Sequence, residues 1–417
     1  AQKVVIHRGS GFVFSPDDQF AVGKIATQKD SVRILKLKKK KADDMPKDSL
    51  FILNLAAGKV EKLARVKSFA IPTEKGSWIA IHFEKELPQK DTPKDSTGTQ
   101  ADSTAKVEKP KKTDGTKLTV RTLDGSKSWD FERVKSYSFA PNGDFMQYTL
   151  AEEEKEDNAA VYLLNLATGE STLVHEKMTT YSNLTFSPQS RRLAFIATDD
   201  SLKAKKPQHT LFIYDVKNQD LAIQVEKSAL KLENSRLSPD GFIRFSEDES
   251  KIFFGVAKDY VDFAYESDTT ILDEERVSLD IWGWQDAEIQ PMQLKNKSQA
   301  ERKTYLAVMD LTNLQINQLA TFEVDNVQLE NKITKDFALA YTDQPYRRSY
   351  SWDIQIGRDL YLVDFKTGAQ KLIEKNASGF ARLSPDGKYA YWYDSRDSAW
   401  VAFDLASDQR INLTKSL

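Results

Sequence analysis

An all-β fold of repeated four-stranded units, a β-propeller of about seven blades, is predicted by three observations. One kind of hairpin recurs from end to end of the 417 residues, and a second kind alternates with it. The shortest repeats, such as that from Pro141 to Pro188, match the ~40 to 50 residues of one propeller blade.

The first hairpin is an apolar residue, a Ser-Pro or similar turn, two or three polar residues, and then an apolar or alternating run. It reads Phe14-Ser15-Pro16-Asp17-Asp18 before Phe20 to Ile25, and recurs at Ile71-Pro72 before Trp78 to Phe83. Further copies are Phe139-Ala140-Pro141-Asn142-Gly143 before Phe145 to Leu150, and Phe186-Ser187-Pro188 before Leu193 to Ala197. Phe245-Ser246-Glu247-Asp248 precedes Ile252 to Val256, a weaker copy runs from Val327 to Tyr341, and Leu383-Ser384-Pro385-Asp386-Gly387 precedes Tyr389 to Tyr393. Ser238-Pro239-Asp240-Gly241 has the best turn composition in the chain. Its register fits poorly, so it is assigned to a connection.

The second hairpin is an apolar strand ending in Asn or Asp, a turn often closed by Gly, and another short strand. Its copies are Leu50 to Leu55 with Gly58, Leu118 to Leu123 with Gly125, Val161 to Leu166 with Gly169, and Leu211 to Val216 before Asn218. Tyr305 to Leu311, Leu360 to Phe365 with Gly368, and Trp400 to Leu405 complete the series. Gly supplies the positive φ that such turns need, and Asn or Asp tolerates it. Two unrelated sandwiches would also show many short strands, but not this alternation. The whole of 1–417 therefore reads as one propeller domain. Lys3 to His7 reads as an extra strand, either the last of a truncated upstream blade, which would make eight blades, or one that completes the ring at the C-terminal blade.

Composition narrows the function. The 60 basic and 62 acidic residues are mixed along the chain, which excludes a nucleic-acid footprint. No apolar run is long enough to span a bilayer, and Ala1 to Arg8 is not a secretory signal. With no cysteine, neither disulfides nor thiolate chemistry is available. Two insertions stand out: Lys36 to Ser49, with an almost unbroken lysine run, and 85–117, rich in Lys, Asp, Thr and Pro. Both read as mobile loops, the second as disordered, because neither buries enough apolar surface to offset the entropy of ordering. Docking of an anionic partner is the alternative.

Catalytic, cofactor and metal motifs are missing. No Gly-x-Ser-x-Gly exists, since Gly169-Glu170-Ser171 continues as Thr172-Leu173, and there is no Walker or Gly-x-Gly-x-x-Gly element. His7, His82, His175 and His209 are not spaced as ligand pairs, so catalytic, cofactor and metal residues are all expected to be none. The acidic run from Glu152 to Asp157 reads as a solvated hairpin tip rather than a clamp for a substrate amine. Two aromatic insertions are the candidate contact residues: Trp282 and Trp284 in one, Arg347, Arg348, Tyr350 and Trp352 in the other. Such side chains offer large rigid area with a polar tip, and they also build blade-to-blade packing.

The Ser-Pro-Asp-Gly-type turns, the hairpin Val161 to Gly169, the segment Asp359 to Asp364 with Thr367-Gly368, and the stretches around Trp282 and Trp352 carry a resemblance. They resemble the N-terminal propeller of prolyl oligopeptidase and dipeptidyl peptidase family serine peptidases of Bacteroidetes type, over nearly the whole chain. The resemblance implies a non-catalytic propeller that gates access of peptide substrates to a Ser-Asp-His triad, in a periplasmic or secreted enzyme. An α/β-hydrolase domain is then expected after Leu417. The glutamate pair of the dipeptidyl peptidases is not transferred to the run at Glu152, which lacks the preceding aromatics. A stand-alone propeller that binds a protein or glycan is the alternative.

Overall fold

The computed structural model describes residues 3–40, 44–85, 115–151, 159–201, 204–260, 275, 281 and 283–414. Contacts divide the chain into two compact units, Ala1–Tyr181 and Ser182–Leu417.

In the first unit, β1 (Gly9–Phe14), β2 (Phe20–Ile25), β3 (Ser49–Asn54) and β4 (Val60–Leu63) pair in chain order as an antiparallel meander. A seven-stranded sheet follows, made of β5 (Val66–Ala70), β6 (Trp78–Phe83), β7 (Thr116–Thr122), β8 (Ser128–Phe139), β9 (Phe145–Leu150), β10 (Ala159–Asn165) and β11 (Ser171–Met178). β8 divides it into two meanders. Its first part, from Ser128, pairs with β7, its second part, to Phe139, pairs with β9, and Arg133 at φ 60° marks the break.

The second unit repeats the plan with β12 (Thr180–Phe186), β13 (Arg192–Thr198), β14 (Thr210–Asp215) and β15 (Asp220–Val225). Next come β16 (Ser235–Leu237), β17 (Arg244–Phe245), β18 (Lys251–Lys258), β19 (Tyr305–Asp310) and β20 (Ile316–Gln318), with β16 and β17 both paired to β18. The last two sheets are β21 (Asn326–Gln328), β22 (Phe337–Thr342), β23 (Arg358–Asp364), β24 (Gln370–Ala377), and β25 (Arg382–Leu383), β26 (Tyr389–Asp394), β27 (Ala399–Asp404), β28 (Gln409–Asn412). Sequential four-strand meanders of this kind are the blades of an all-β propeller fold. Helices are few among the described residues: α1 (Lys29–Leu37), α2 (Gln290–Glu301) and two 3-10 helices, Lys227–Ala229 and Gln344–Ser351.

Alternation places the core. Successive side chains of a strand point to opposite faces. On β6, Ile79 and Ile81 join Val22, Leu50 and Ile52 in one buried cluster, while Ala80 between them joins Leu118, Val120 and Met146 in another. Both faces of an inner sheet are thus apolar, which is why these strands read as continuous apolar runs. In the second unit Phe253, Phe254, Ala307 and Val308 belong to one core, and Trp392, Val401 and Leu360 to another.

The first-hairpin turns share one geometry. In five of them the residue opening the turn donates its amide to the carbonyl five places on, as in Ser15 to Phe20 (2.9 Å), Ala140 to Phe145 (2.9 Å) and Ser384 to Tyr389 (2.8 Å). The fourth residue of each has positive φ: Asp18, Gly143, Ser190, Glu249 and Gly387. Four of the opening residues are serines, and each hydroxyl accepts the amide of that fifth residue at 3.0 Å, namely Phe20, Arg192, Lys251 and Tyr389.

Three expectations change. Lys3 to His7 is not a strand; the chain turns there, with Gly9 N bonded to Ile6 O at 3.2 Å, before β1 begins. Ser238-Pro239-Asp240-Gly241 is not a connection between sheets but an excursion within one strand, separating β16 from β17, which share the partner β18. It lets Gly241 lie against Gly255, so closely that a Cβ on Gly241 would meet the Gly255 Cα at 2.6 Å. The lysine-rich segment from Lys36 is not all loop, because Lys36 and Leu37 form the end of α1. Residues 86–114 and the run Glu152 to Asp157 lie outside the described residues.

Candidate functional site

An antiparallel meander has two edges, and this chain uses them differently. The first-to-second and third-to-fourth strand turns lie at one edge of each sheet; the second-to-third connections lie at the other. The long insertions are second-to-third connections: 26–48, 84–115, 151–158, 199–209, 259–304 and 343–357. Loops carried on a rigid scaffold are where contacts concentrate.

In the second unit two of these connections, from neighbouring sheets, meet. Asp325, whose side chain is fully buried just before β21, accepts hydrogen bonds from Lys303 at the end of 259–304 and from Arg347 Nη2 (3.3 Å) in 343–357. Asn326 Nδ2 donates to its other oxygen at 2.8 Å. Two cations and an amide offset the cost of burying that carboxylate. Arg347 also donates through Nε to Asp343 at 2.8 Å, and the Tyr350 hydroxyl donates to the second Asp343 oxygen. Burial would raise the Asp343 pKa, but the Tyr350 hydroxyl and the Arg347 charge hold it below the ordinary carboxylate range. Burial first, and then the bond to Asp343, pushes the Tyr350 phenol up.

Two clefts adjoin at this cluster, sharing Thr304 and Asn326. One, of about 480 Å³, is lined by Phe242, Gly255, Tyr341, Phe380 and Arg382; the other, of about 580 Å³, by Asp240, Glu288, Arg302, Lys303, Asp343 and Arg347. The first is aromatic, with one base, Arg382, and one acid, Asp325, in its lining; the Phe380 ring on its wall carries the Arg358 guanidinium 3.7 Å from its centroid. The second balances three acids against three bases. The excursion at Ser238–Gly241 is tied down by Asn183, which donates to the carbonyls of Pro239 (2.8 Å) and Gly241.

The six contact candidates fall into three groups. Trp284 and Trp352 are 77 % and 75 % exposed, and Arg348 reaches from one connection to the other, donating to Trp284 O at 3.2 Å with its guanidinium 5.3 Å from the Trp284 ring. Arg347 and Tyr350 turn inward to the Asp343–Asp325 network. Trp282 lies outside the described residues. Asp325 and Lys303 were missed by sequence reasoning, since they belong to no motif and meet Arg347 only through the fold.

Of two close hydroxyl–imidazole pairs among the described residues, His175 Nδ1 with the Tyr181 phenol at 2.8 Å and His82 with Thr116, the second has the aliphatic hydroxyl that nucleophilic chemistry would use. Nε2 of His82 lies 2.8 Å from Thr116 Oγ1 and 3.0 Å from Val134 O. The Thr116 hydroxyl donates to Phe83 O at 2.7 Å. With the hydroxyl proton given to Phe83, Nε2 carries the N–H, so it cannot take a proton from Thr116. The pair pins β6, β7 and β8 together. Among the described residues no group of His, Asp and Glu is placed to hold a metal ion, and no helix is long and apolar enough to cross a membrane.

The strand order and the two unlike edges define a β-propeller-type chain that carries its polar and aromatic contacts on the second-to-third connections. No family model matches the sequence, and no curated protein matches it. Among solved structures it is similar to the tricorn protease, at 13 % identity and TM-score 0.39, covering 97 % of this chain and 34 % of that one. It is similar to the β-propeller domain of the trilobed protease from Pyrococcus furiosus, at 13 % identity and TM-score 0.38, over 84 % and 85 % of the two chains. Porphyromonas gingivalis dipeptidyl peptidase 4 is matched at 10 % identity and TM-score 0.41, over 98 % of this chain and 53 % of that one. The chain thus spans about a third of the tricorn protease and about half of the dipeptidyl peptidase. At such TM-scores no activity is inferred from the likeness.

Proposed function

We propose that residues 1–417 form one propeller domain, of about seven blades, that is the non-catalytic, substrate-gating part of a periplasmic or secreted serine peptidase acting on peptides. The observation that supports it is the contact surface on the connections 259–304 and 343–357: Trp284, Arg348 and Trp352 stand exposed above a buried ion network that holds both connections in place. Exposed aromatic and arginine side chains on an anchored base suit a protein partner. The peptidase partner itself follows from the sequence resemblance, and an α/β-hydrolase domain is its expected form. The two adjoining clefts favour the second reading, a stand-alone scaffold that binds a protein or glycan.

The test begins with the coding sequence past Leu417. A Gly-x-Ser-x-Gly element there supports the gating role, and in that full-length protein Arg348→Ala with Trp352→Ala should lower kcat/KM on peptides about tenfold, as loss of an interface contact of modest strength would. The separate 1–417 chain should hydrolyse neither peptides nor esters, because no activated nucleophile is available. A reading frame that stops at Leu417 overturns the gating role and leaves the scaffold.

A further inference from the structure

α1 lies in the connection between β2 and β3, and its amino acids are sorted by face. Residues at i, i+4 and i+7 of a helix share one side. Lys29, Arg33 and Lys36 have that spacing, as do Asp30, Ile34 and Leu37 one residue on. Asp30 sits in the first turn, where the helix dipole favours a carboxylate. Ile34 and Leu37 are 49 % and 69 % exposed, and no residue of α1 is buried. The helix ends in a left-handed Lys39 (φ 52°), with Lys40 N bonded back to Leu35 O at 3.1 Å, and its last residues continue the charge as Lys38, Lys39 and Lys40.

None of these six cationic side chains has a hydrogen-bond or ion-pair partner among the described residues, and Lys29, Arg33 and Lys36 converge on a cleft of about 510 Å³ lined also by Thr27, Val32 and Leu37, with no acid in it. A nine-residue helix with nothing buried is marginal in water by itself. The residues leading into it are held, by Ala26 N to Arg8 O at 3.0 Å and Thr27 N to Asp48 Oδ1 at 3.1 Å, so the helix starts from a fixed point.

We infer that α1 is a docking helix for an anionic phospholipid surface. The cationic row matches lipid phosphates, and the exposed Ile34 and Leu37, on the neighbouring row, match the boundary between headgroups and acyl chains. A nucleic acid or an acidic protein segment would account for the cations but would leave those two apolar side chains unused. A bilayer with acidic headgroups uses both.

The test is sedimentation of the full chain with vesicles of phosphatidylcholine alone and of phosphatidylcholine with phosphatidylserine. Binding is expected only to the second. Arg33→Glu with Lys36→Glu should lower the partition coefficient about a hundredfold or more, each cation near an anionic surface contributing about fivefold and each new carboxylate being repelled in turn. Ile34→Ser with Leu37→Ser should lower it about tenfold at unchanged charge. Both pairs are exposed, so the melting temperature should not move. Because the chain has no cysteine, a single Leu37→Cys carries an environment-sensitive dye without competing labels, and its emission should shift to the blue only with anionic vesicles. Binding to neither vesicle overturns the inference. Full retention of vesicle binding by the double serine variant, with equal retention of that variant on heparin, also overturns it and identifies a general polyanion site.

Discussion

At the edge where first and second strands join, the serines Ser15, Ser187, Ser246 and Ser384 each accept the amide five places on at 3.0 Å, and each donates its own amide to the carbonyl of that same residue. At the opposite edge the described parts of three connections differ: one forms α1, one carries α2, one a 3-10 helix. The turn edge is set by local bonds repeated along the chain. The connection edge is set by contacts made once. The connections 259–304 and 343–357 are joined through a single buried charge, Asp325, so the irregular edge there should be the more fragile to one substitution and the more tolerant to most.

The largest effect expected is therefore on the irregular edge. Asp325→Ala removes the buried carboxylate that joins Lys303 to Arg347, and should cost about 3 kcal/mol, measured by denaturant unfolding, because Lys303 is left unpaired and Arg347 keeps only Asp343. A cost below that of a turn serine would break the comparison. At the turn edge, Gly143→Ala places a side chain at φ 70°, with its Cβ 2.0 Å from Lys75 O, and should cost at least about 1 to 2 kcal/mol.

Ser246→Ala comes next, at about 1 kcal/mol for its hydrogen bonds. It should also raise the pKa of Asp248, which the Ser246 hydroxyl holds down at about 2, a change that titration by NMR would read directly. If Asp248 keeps its pKa, the serine is not what organises the turn.

The acid response should be a slope rather than a step. Burial lowers the pKa of His82, with the Lys67 charge adding to it, and burial also leads at His175 and His209. Each therefore takes up a proton more readily in the unfolded chain, so their contribution to stability is complete above about 6.5 and declines as pH falls through the lowered values. His82→Asn should flatten that decline in urea midpoints; an unchanged slope would show that other groups carry it. The smallest effect belongs to Trp352→Ala with Arg348→Ala, within about 0.5 kcal/mol in the isolated chain, as for exposed side chains generally. A loss of several kcal/mol would move these residues from the contact surface into the fold.

The difference between the edges also explains what could be read without coordinates. The six residues from Ser384 to Tyr389, and their counterparts in the other turns, contain the partners that close the turn, so the strands on either side follow. Ser238-Pro239-Asp240-Gly241 has the same letters, but its serine hydroxyl bonds only Asp240, at 3.3 Å as donor and 3.2 Å as acceptor, and no hairpin closes on the fifth residue. Its role depends on Gly255, which no local pattern announces. Asp325 meets Lys303 and Arg347 at 22 positions' separation on either side, a pairing invisible to spacing rules. α1 was legible in part: Val32, Ile34, Leu35 and Leu37 interrupt the cations, yet the lysines dominate the composition and hide a helix in what reads as loop.

β8 has no connection at all between its two pairing partners, because one continuous strand is the last of one meander and the first of the next. Elsewhere a sheet can detach by letting its flanking linker slacken. Here β7 and β9 pair with the two halves of one twelve-residue strand, so the two meanders should exchange their hydrogens in one cooperative event, while the neighbouring sheets open separately. For a chain pulled from its ends, that shared strand is the place where two repeats behave as one mechanical element.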